Sequence, residues 1–356
     1  IIGVAQSAFQ TWARIPAPKR ADMLRGALDS MKAREEEFAR TITLENGKTL
    51  RESRVEVLAA IKEFDFQLGQ GRKPGGPQLG SQIPGASCYL RREPLGVVSL
   101  ITPWNFPLNV ACRKLVPALV AGNCCLLKPA DQTPMSAALL FEALEAVGLP
   151  NGVANLVFGR GSVIGDTLVA HPAIKAVSFT GSTEVGMRIA TKLAGRATKV
   201  QLEMGGKNPL VVLADADLEA AAEAAVVGAY SCAGQWCTST SRVIVEAAAY
   251  DELLEMLVSK VRALKVGNGF DESVRMGPVC GAQQYETILK YIGVGRQEGA
   301  RLCCGGGALT EGSLANGYFI APTVFAEVTA EMRIAREEIF GPVLSVMRVD
   351  DFEHAL

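Results

Sequence analysis

From Leu95 onward, short apolar runs alternate with longer stretches in which apolar positions recur every three or four residues. The runs 96–101, 124–127, 153–157, 176–179 and 199–202 have the length and composition of buried strands, and 107–120, 134–147, 162–170 and 184–193 have helical spacing. This alternation predicts an α/β fold: a Rossmann-like, doubly wound parallel sheet with helices on both faces. Right-handed crossovers then bring every strand's C-terminal end to one edge of the sheet, where such folds bind ligands. Asn105, Lys128, Thr180-Gly181-Ser182 and Glu203 all fall on that edge.

Before this region, 19–38 and 52–67 carry apolar residues at helical spacing with charges between them, which predicts two packing helices. The stretch 69–85 turns to Gly, Pro and Gln, the composition of an exposed loop or of projecting strands. An alternating segment at 88–93 reads as an edge strand suited to subunit pairing. Further on, 217–230 reads as an alanine-rich helix with Asp215 or Asp217 near its start, and 242–246 as a strand. Cys237 lies in the small-residue connection between them, where a thiol can be exposed close to backbone N–H groups. Cys232, at the helix end, reads as packing.

Composition narrows the function classes. A chain of 356 residues, 49% hydrophobic, with a net charge of −1, can bury large cores in two or more domains and has no electrostatic pull toward nucleic acid or anionic membrane. No apolar run is long enough to suggest a membrane span. Nine cysteines without framework spacing or CxxC pairs suit reduced thiols and a cytoplasmic setting, with no metal site. The two histidines, His171 and His354, stand apart from any serine or cysteine motif. Ser-His-Asp and Cys-His catalysis and His-ligated zinc are therefore disfavoured; both histidines read as surface or capping residues, and base chemistry falls to a carboxylate or a lysine.

Cys237 and Glu203 supply that chemistry: a thiol whose thiolate is the nucleophile, and a side chain able to take a proton from it or from water. Pro103-Trp104-Asn105-Phe106-Pro107 stiffens a strand-to-helix turn, so the Asn105 amide reads either as a donor to a developing oxyanion or as a turn residue. Gly159-x-Gly161 and Gly181-Ser182 each precede a helix without matching GxGxxG. Free N–H groups at such helix starts still attract phosphate, so a nonstandard dinucleotide site is expected.

The six motifs 103–107, 128–134, 179–186, 202–207, 234–237 and 337–342, in this order over nearly the whole chain, resemble the NAD(P)-dependent aldehyde dehydrogenase superfamily. Succinate-semialdehyde and ketoglutarate-semialdehyde dehydrogenase-like members are the nearest in motif. The resemblance implies Cys237 as nucleophile, Glu203 as general base and Asn105 as oxyanion donor. It places Lys128 and Asp131 at the adenosine ribose, Gly181, Ser182 and Val185 at the pyrophosphate with Gly161 nearby, Glu338 and Phe340 at the nicotinamide ribose and ring, and Thr102 and Trp104 in backbone contacts to the cofactor. Asp131 would accept from a free ribose 2′-hydroxyl and repel a 2′-phosphate, which favours NAD over NADP. Arg113 resembles a carboxylate-binding arginine of semialdehyde enzymes, although Ser231 and Ser239 depart from the succinate-semialdehyde pattern, and it reads equally as a surface ion-pair residue.

By the same resemblance, 1–78 and 94–205 form the cofactor-binding domain, 79–93 an oligomerisation hairpin and 206–356 the catalytic domain. A chain cut short at both ends is expected, with a homodimer or homotetramer in the full-length protein. The implied reaction is oxidation of a small aldehyde to its acid through a Cys237 thioester. Two alternatives stay open: a non-catalytic fragment, and an acylating enzyme that passes the acyl group to coenzyme A, against which Glu203 argues.

Overall fold

Apolar positions at helical spacing make four helices of the N-terminal region: α1 (Ile2–Trp12), α2 (Ala17–Ala33), α3 (Glu35–Asn46) and α4 (Leu50–Gln70). The single helix expected over 19–38 is two. Arg34 leaves helical geometry at φ −114°, and Glu35, Glu36 and Glu37 in the first turn of α3 favour a fresh N-terminus through the helix dipole. The expected edge strand is also shorter than 88–93: β1 (Gln78–Leu79) pairs antiparallel with β2 (Cys88–Tyr89) in a small exposed hairpin. In this computed structural model, residues 1–73 and 75–356 are described.

The predicted parallel sheet follows. Its elements are β3 (Val97–Ile101), α5 (Pro107–Val120), β4 (Cys124–Lys128), α6 (Met135–Ala146), β5 (Ala154–Leu156), α7 (Gly161–Ala170), β6 (Ile174–Thr180), α8 (Thr183–Leu193) and β7 (Lys199–Glu203). The strand order is β5-β4-β3-β6-β7, every pair parallel. Strands β3 and β4 read as unbroken apolar runs because they are covered on both faces, with Val97, Leu100, Cys125, Leu126 and Leu127 all buried.

A second sheet is built from β8 (Asn208–Val212), β9 (Thr240–Glu246), β10 (Arg301–Cys304), β11 (Thr323–Ala326) and β12 (Val343–Val349). Its order is β10-β11-β12-β9-β8, with only the β10–β11 pair antiparallel. Helices α9 (Leu218–Tyr230), α10 (Tyr250–Arg262) and α11 (Ala282–Gln297) complete a core that includes Val243, Leu253, Leu257, Phe325 and Val346.

The chain divides into two compact units, Ile1–Ile42 with Arg54–Met204, and Thr43–Ser53 with Gly205–Leu356. The corner between α3 and α4 thus belongs to the second unit, whereas the sequence reading put it with 1–78. Its polar residues explain the difference. Thr43, Asn46, Lys48, Thr49 and Ser53 are buried, and the Leu50 N–H donates to the Gly269 carbonyl at 2.8 Å. Buried backbone polar groups need partners, and Gly269 supplies one for Leu50.

Candidate active site

In the first unit the strand order reverses at β3, with β4 on one side and β6 on the other, and a doubly wound sheet binds its ligand outside the carboxyl ends at such a point. The sequence-predicted residues collect there. Thr102 follows β3 and its N–H donates to the Lys128 carbonyl at 3.0 Å. Asn105 is buried, two residues before α5 starts at Pro107. Glu56, on α4, accepts from the Leu108 and Asn109 N–H groups at 3.0 and 3.2 Å, so it caps α5 and fixes the turn that carries Asn105. Nothing local in the sequence reveals that cap, since Glu56 lies 52 residues from Leu108.

Lys128 ends β4; its ammonium is buried and donates to Asp131 at 3.0 Å and to the Pro129 carbonyl at 2.9 Å. Gly161 opens α7, and Ser182 is the N-cap of α8, accepting from Val185 N–H at 3.4 Å. The Gly181 N–H donates to the Glu203 carbonyl. A groove of about 880 Å³ runs along this edge, lined by Lys128, Gly161, Phe179, Glu184 and Val185. Two helix N-termini, a lysine with its carboxylate neighbour and a groove of this size fit a dinucleotide. The Thr102 hydroxyl, buried without a partner, is a further polar group unspent at the strand end.

Glu203 ends β7 and is exposed, with its carboxylate held by the Gln201 amide at 2.6 Å. Behind Gln201 lies Lys114 of α5, whose ammonium donates to Ser178 Oγ at 2.7 Å and to Gln201 Oε1 at 3.2 Å. Burial pulls the Lys114 pKa down to about 8, against the attraction of Glu203. Arg113 is mostly exposed and pairs with Glu63 at 3.7 Å.

The second unit holds Cys237, Glu338 and Phe340. Asp217 is the N-cap of α9, accepting from Ala220 N–H at 3.0 Å. After α9 the chain makes a tight turn in which Cys232 (φ 51°), Ala233 (φ 55°) and Gly234 (φ 68°) are all left-handed. Left-handed geometry costs a non-glycine residue about 1–2 kcal/mol, so two in succession need outside support. It comes from several directions. The Cys232 N–H donates to Glu52 Oε1 at 2.7 Å, and the Gln235 side chain donates to the Cys232 carbonyl and accepts from Cys280 N–H at 2.8 Å. Beyond the turn Cys237 is exposed, as its place between helix and strand predicts, and Asn208 Nδ2 grips its carbonyl at 2.7 Å and that of Ser239 at 3.0 Å. Cys232 is buried, in keeping with its packing assignment.

Phe340, also left-handed at φ 57°, is held by the Gln284 amide, which donates to the Ile339 and Phe340 carbonyls at 3.1 and 2.8 Å. Glu338 accepts from Gly206 N–H at 3.3 Å, and burial pushes its carboxyl above the usual range against the pull of Lys207. Burial, with Arg242 beside it, lowers Lys207 to about 8. Gly234, Trp236, Glu338, Phe340 and Gly341 line one small pocket of about 20 Å³. Gly234 packs directly on the Gly341 backbone, so the turn before the thiol and the turn carrying Phe340 touch with no room for a β-carbon.

The remaining candidates are structural. His171 Nδ1 accepts from Ala173 N–H at 3.1 Å after α7, and His354 Nδ1 accepts from Asp350 N–H at 3.3 Å. None of the nine cysteines forms a disulfide. Among the described residues there is no cluster of metal-ligating side chains, and no helix is long and apolar enough to cross a membrane.

A parallel sheet with a dinucleotide-type edge and a second α/β unit presenting an exposed cysteine are the parts that a nucleotide-dependent, cysteine-using oxidoreductase requires. Comparison with known proteins gives the family: the aldehyde dehydrogenase family model matches residues 1–356, and the chain belongs to that family. It is 47% identical to the 2,5-dioxopentanoate dehydrogenase of Saccharolobus solfataricus, covering 100% of this chain and 74% of that protein. It is 43% identical to the alpha-ketoglutaric semialdehyde dehydrogenase of Bacillus subtilis, covering 100% of this chain and 73% of that protein. Among solved structures, the betaine aldehyde dehydrogenase of Staphylococcus aureus in complex with NAD+ superposes with a TM-score of 0.97 at 38% identity, over 99% of this chain and 70% of that one.

Proposed function

We propose that this protein oxidises an aldehyde to its carboxylic acid with NAD+, through a thioester on Cys237. The observation that carries the reading is the exposed Cys237 thiol on a loop clamped on both sides, in a member of the aldehyde dehydrogenase family. Lys128 and Asp131 hold the adenosine ribose, Gly181, Ser182 and Val185 with Gly161 receive the pyrophosphate, Thr102 and Trp104 contribute backbone contacts, and Glu338 and Phe340 hold the nicotinamide ribose and ring. The bound NAD+ supplies the hydride acceptor. Asp131 disfavours a 2′-phosphate and so sets NAD above NADP.

The Cys237 thiolate adds to the aldehyde carbon, and the resulting oxyanion is received by the Asn105 amide and the Cys237 N–H. Oxidation of this adduct leaves a thioester on Cys237. Glu203 takes a proton from water, whose oxygen attacks the thioester carbon; the acid leaves and the thiolate returns. Aldehyde-dependent NADH absorbance tests the reading: Cys237→Ser should abolish it and coenzyme A should not accelerate the parent protein. Near-normal turnover in the variant, or strict dependence on coenzyme A, sinks it.

For substrate, the names of two relatives favour a semialdehyde bearing a 2-oxo acid. Arg113 is the carboxylate-binding candidate: its guanidinium is mostly exposed and its pair with Glu63 is long at 3.7 Å, which leaves it able to take a second carboxylate. We further propose a cytoplasmic homo-oligomer that pairs through the β1–β2 hairpin, supported by the exposed Leu79, Ile83, Tyr89 and Leu90.

A further inference from the structure

We propose that Glu52 is a positioning residue for the nucleophile, holding the left-handed turn from which the Cys237 loop departs. The inference rests on the reading of Cys237 as the reactive thiol.

Glu52 does two things at once. Thr49 is the N-cap of α4 and Glu52 stands three residues later, so the pair forms a capping box: Glu52 N–H donates to Thr49 Oγ1 at 3.3 Å, while Glu52 Oε2 accepts from Thr49 N–H and from Thr49 Oγ1, each at 2.8 Å. A capping box uses one oxygen of the glutamate. The other, Oε1, accepts from the Cys232 N–H at 2.7 Å, 180 residues away in sequence. That distance is at the short end of the N–H···O range.

The bond lands where the chain needs it. Cys232 is the first of three consecutive left-handed residues, and two of the three are not glycine. From this anchor the chain passes to Gln235, whose backbone N–H and side-chain amide both donate to the Cys232 carbonyl at 3.1 Å, and then to Cys237. The loop is therefore tied at its start by Glu52, in its middle by Gln235 with Cys280, and at Cys237 itself by Asn208. This gives the α3–α4 corner a purpose. The segment Thr43–Ser53 packs in the second unit, and through Glu52 it brings a helix N-cap to bear on the nucleophile turn.

Glu52→Gln separates the two roles, because glutamine serves in a capping box as well as glutamate does. With its amide oxygen turned to Thr49, the NH2 group faces the Cys232 N–H, donor against donor. Thr49→Ala is the converse, weakening the cap while leaving the carboxylate oxygen for Cys232. The readout is the rate of iodoacetamide alkylation at Cys237, followed by mass spectrometry of its peptide with the exposed Cys88 on the same chain as reference.

In Glu52→Gln the Cys237 rate, relative to Cys88, should fall about tenfold and kcat should fall with it, since misplacing a reacting group by about 1 Å costs up to about a hundredfold. In Thr49→Ala the Tm should drop by about 2–4 °C with the Cys237 rate within about twofold of the parent. An unchanged Cys237 rate in Glu52→Gln overturns the proposal. So does an equal loss in Thr49→Ala, which would make the cap itself the cause. Alkylation is read without turnover, so this result stands apart from the outcome of Cys237→Ser, which tests the reaction.

Discussion

Gly234→Ala strikes the point where two turns of the second unit touch. Gly234 has φ 68°, and a β-carbon there would lie 2.5 Å from the Gly341 carbonyl carbon, inside contact with its oxygen, and 2.9 Å from the Ala229 carbonyl oxygen. These are backbone atoms, so no side-chain rotation relieves the clash. Alanine in the left-handed region costs about 1–2 kcal/mol, and prising packed segments apart costs about 1–3 kcal/mol. A loss of about 2–5 kcal/mol is expected, a Tm lower by about 4–20 °C for a unit of this size. Both displaced segments carry residues proposed for the site, Cys237 on one and Glu338 and Phe340 on the other. Activity should therefore fall further than stability, by about a hundredfold in kcat at a temperature where the variant is folded. Thermal unfolding by circular dichroism, paired with Cys237 alkylation at about 20 °C, measures both effects. A variant with the parent's Tm and the parent's alkylation rate would refute the packing argument.

Two further predictions concern the first unit. Lys114 has its pKa lowered by burial from 10.5 to about 8, so between these values the folded protein has released a proton that the unfolded chain still holds. Stability then rises with pH across this window, the penalty being full below about 8 and fading toward 10.5; urea midpoints at about pH 7.5 and 9.5 should differ less in Lys114→Met than in the parent, and an unchanged difference would remove Lys114 as the source. Arg113→Ala should lower kcat/KM about tenfold or more for carboxylated semialdehydes while sparing neutral aldehydes, and equal effects on the two sets would return Arg113 to its ion pair with Glu63.

Much of the first unit is legible in sequence because burial on both faces writes β3 and β4 as apolar runs, and the turns that follow the strands carry the candidate residues. Asn105, Lys128, Ser182 and Glu203 could be placed on one edge from topology alone. What escaped depends on contacts distant along the chain. The left-handed Cys232 and Ala233 have no local signal, since neither is glycine and their geometry is imposed by Glu52, Gln235 and the Gly341 backbone. Thr49-x-x-Glu52 is a readable capping box, but the second oxygen's partner is not. Glu56 capping α5, and Asn208 and Gln284 gripping the Cys237 and Phe340 backbones, are likewise side-chain bonds to remote carbonyls or N–H groups. The split of 19–38 at Arg34 was the more accessible miss, for three successive glutamates mark a helix start.

The central claim, a thioester on Cys237 released by Glu203, is tested most directly by mixing Glu203→Gln with aldehyde and NAD+, quenching, and weighing the Cys237 peptide. The account predicts about one NADH per chain in a rapid first phase, slow turnover afterwards, and the acyl mass on Cys237. NADH formation at the parent's steady rate, or an acyl group absent from Cys237, would contradict it.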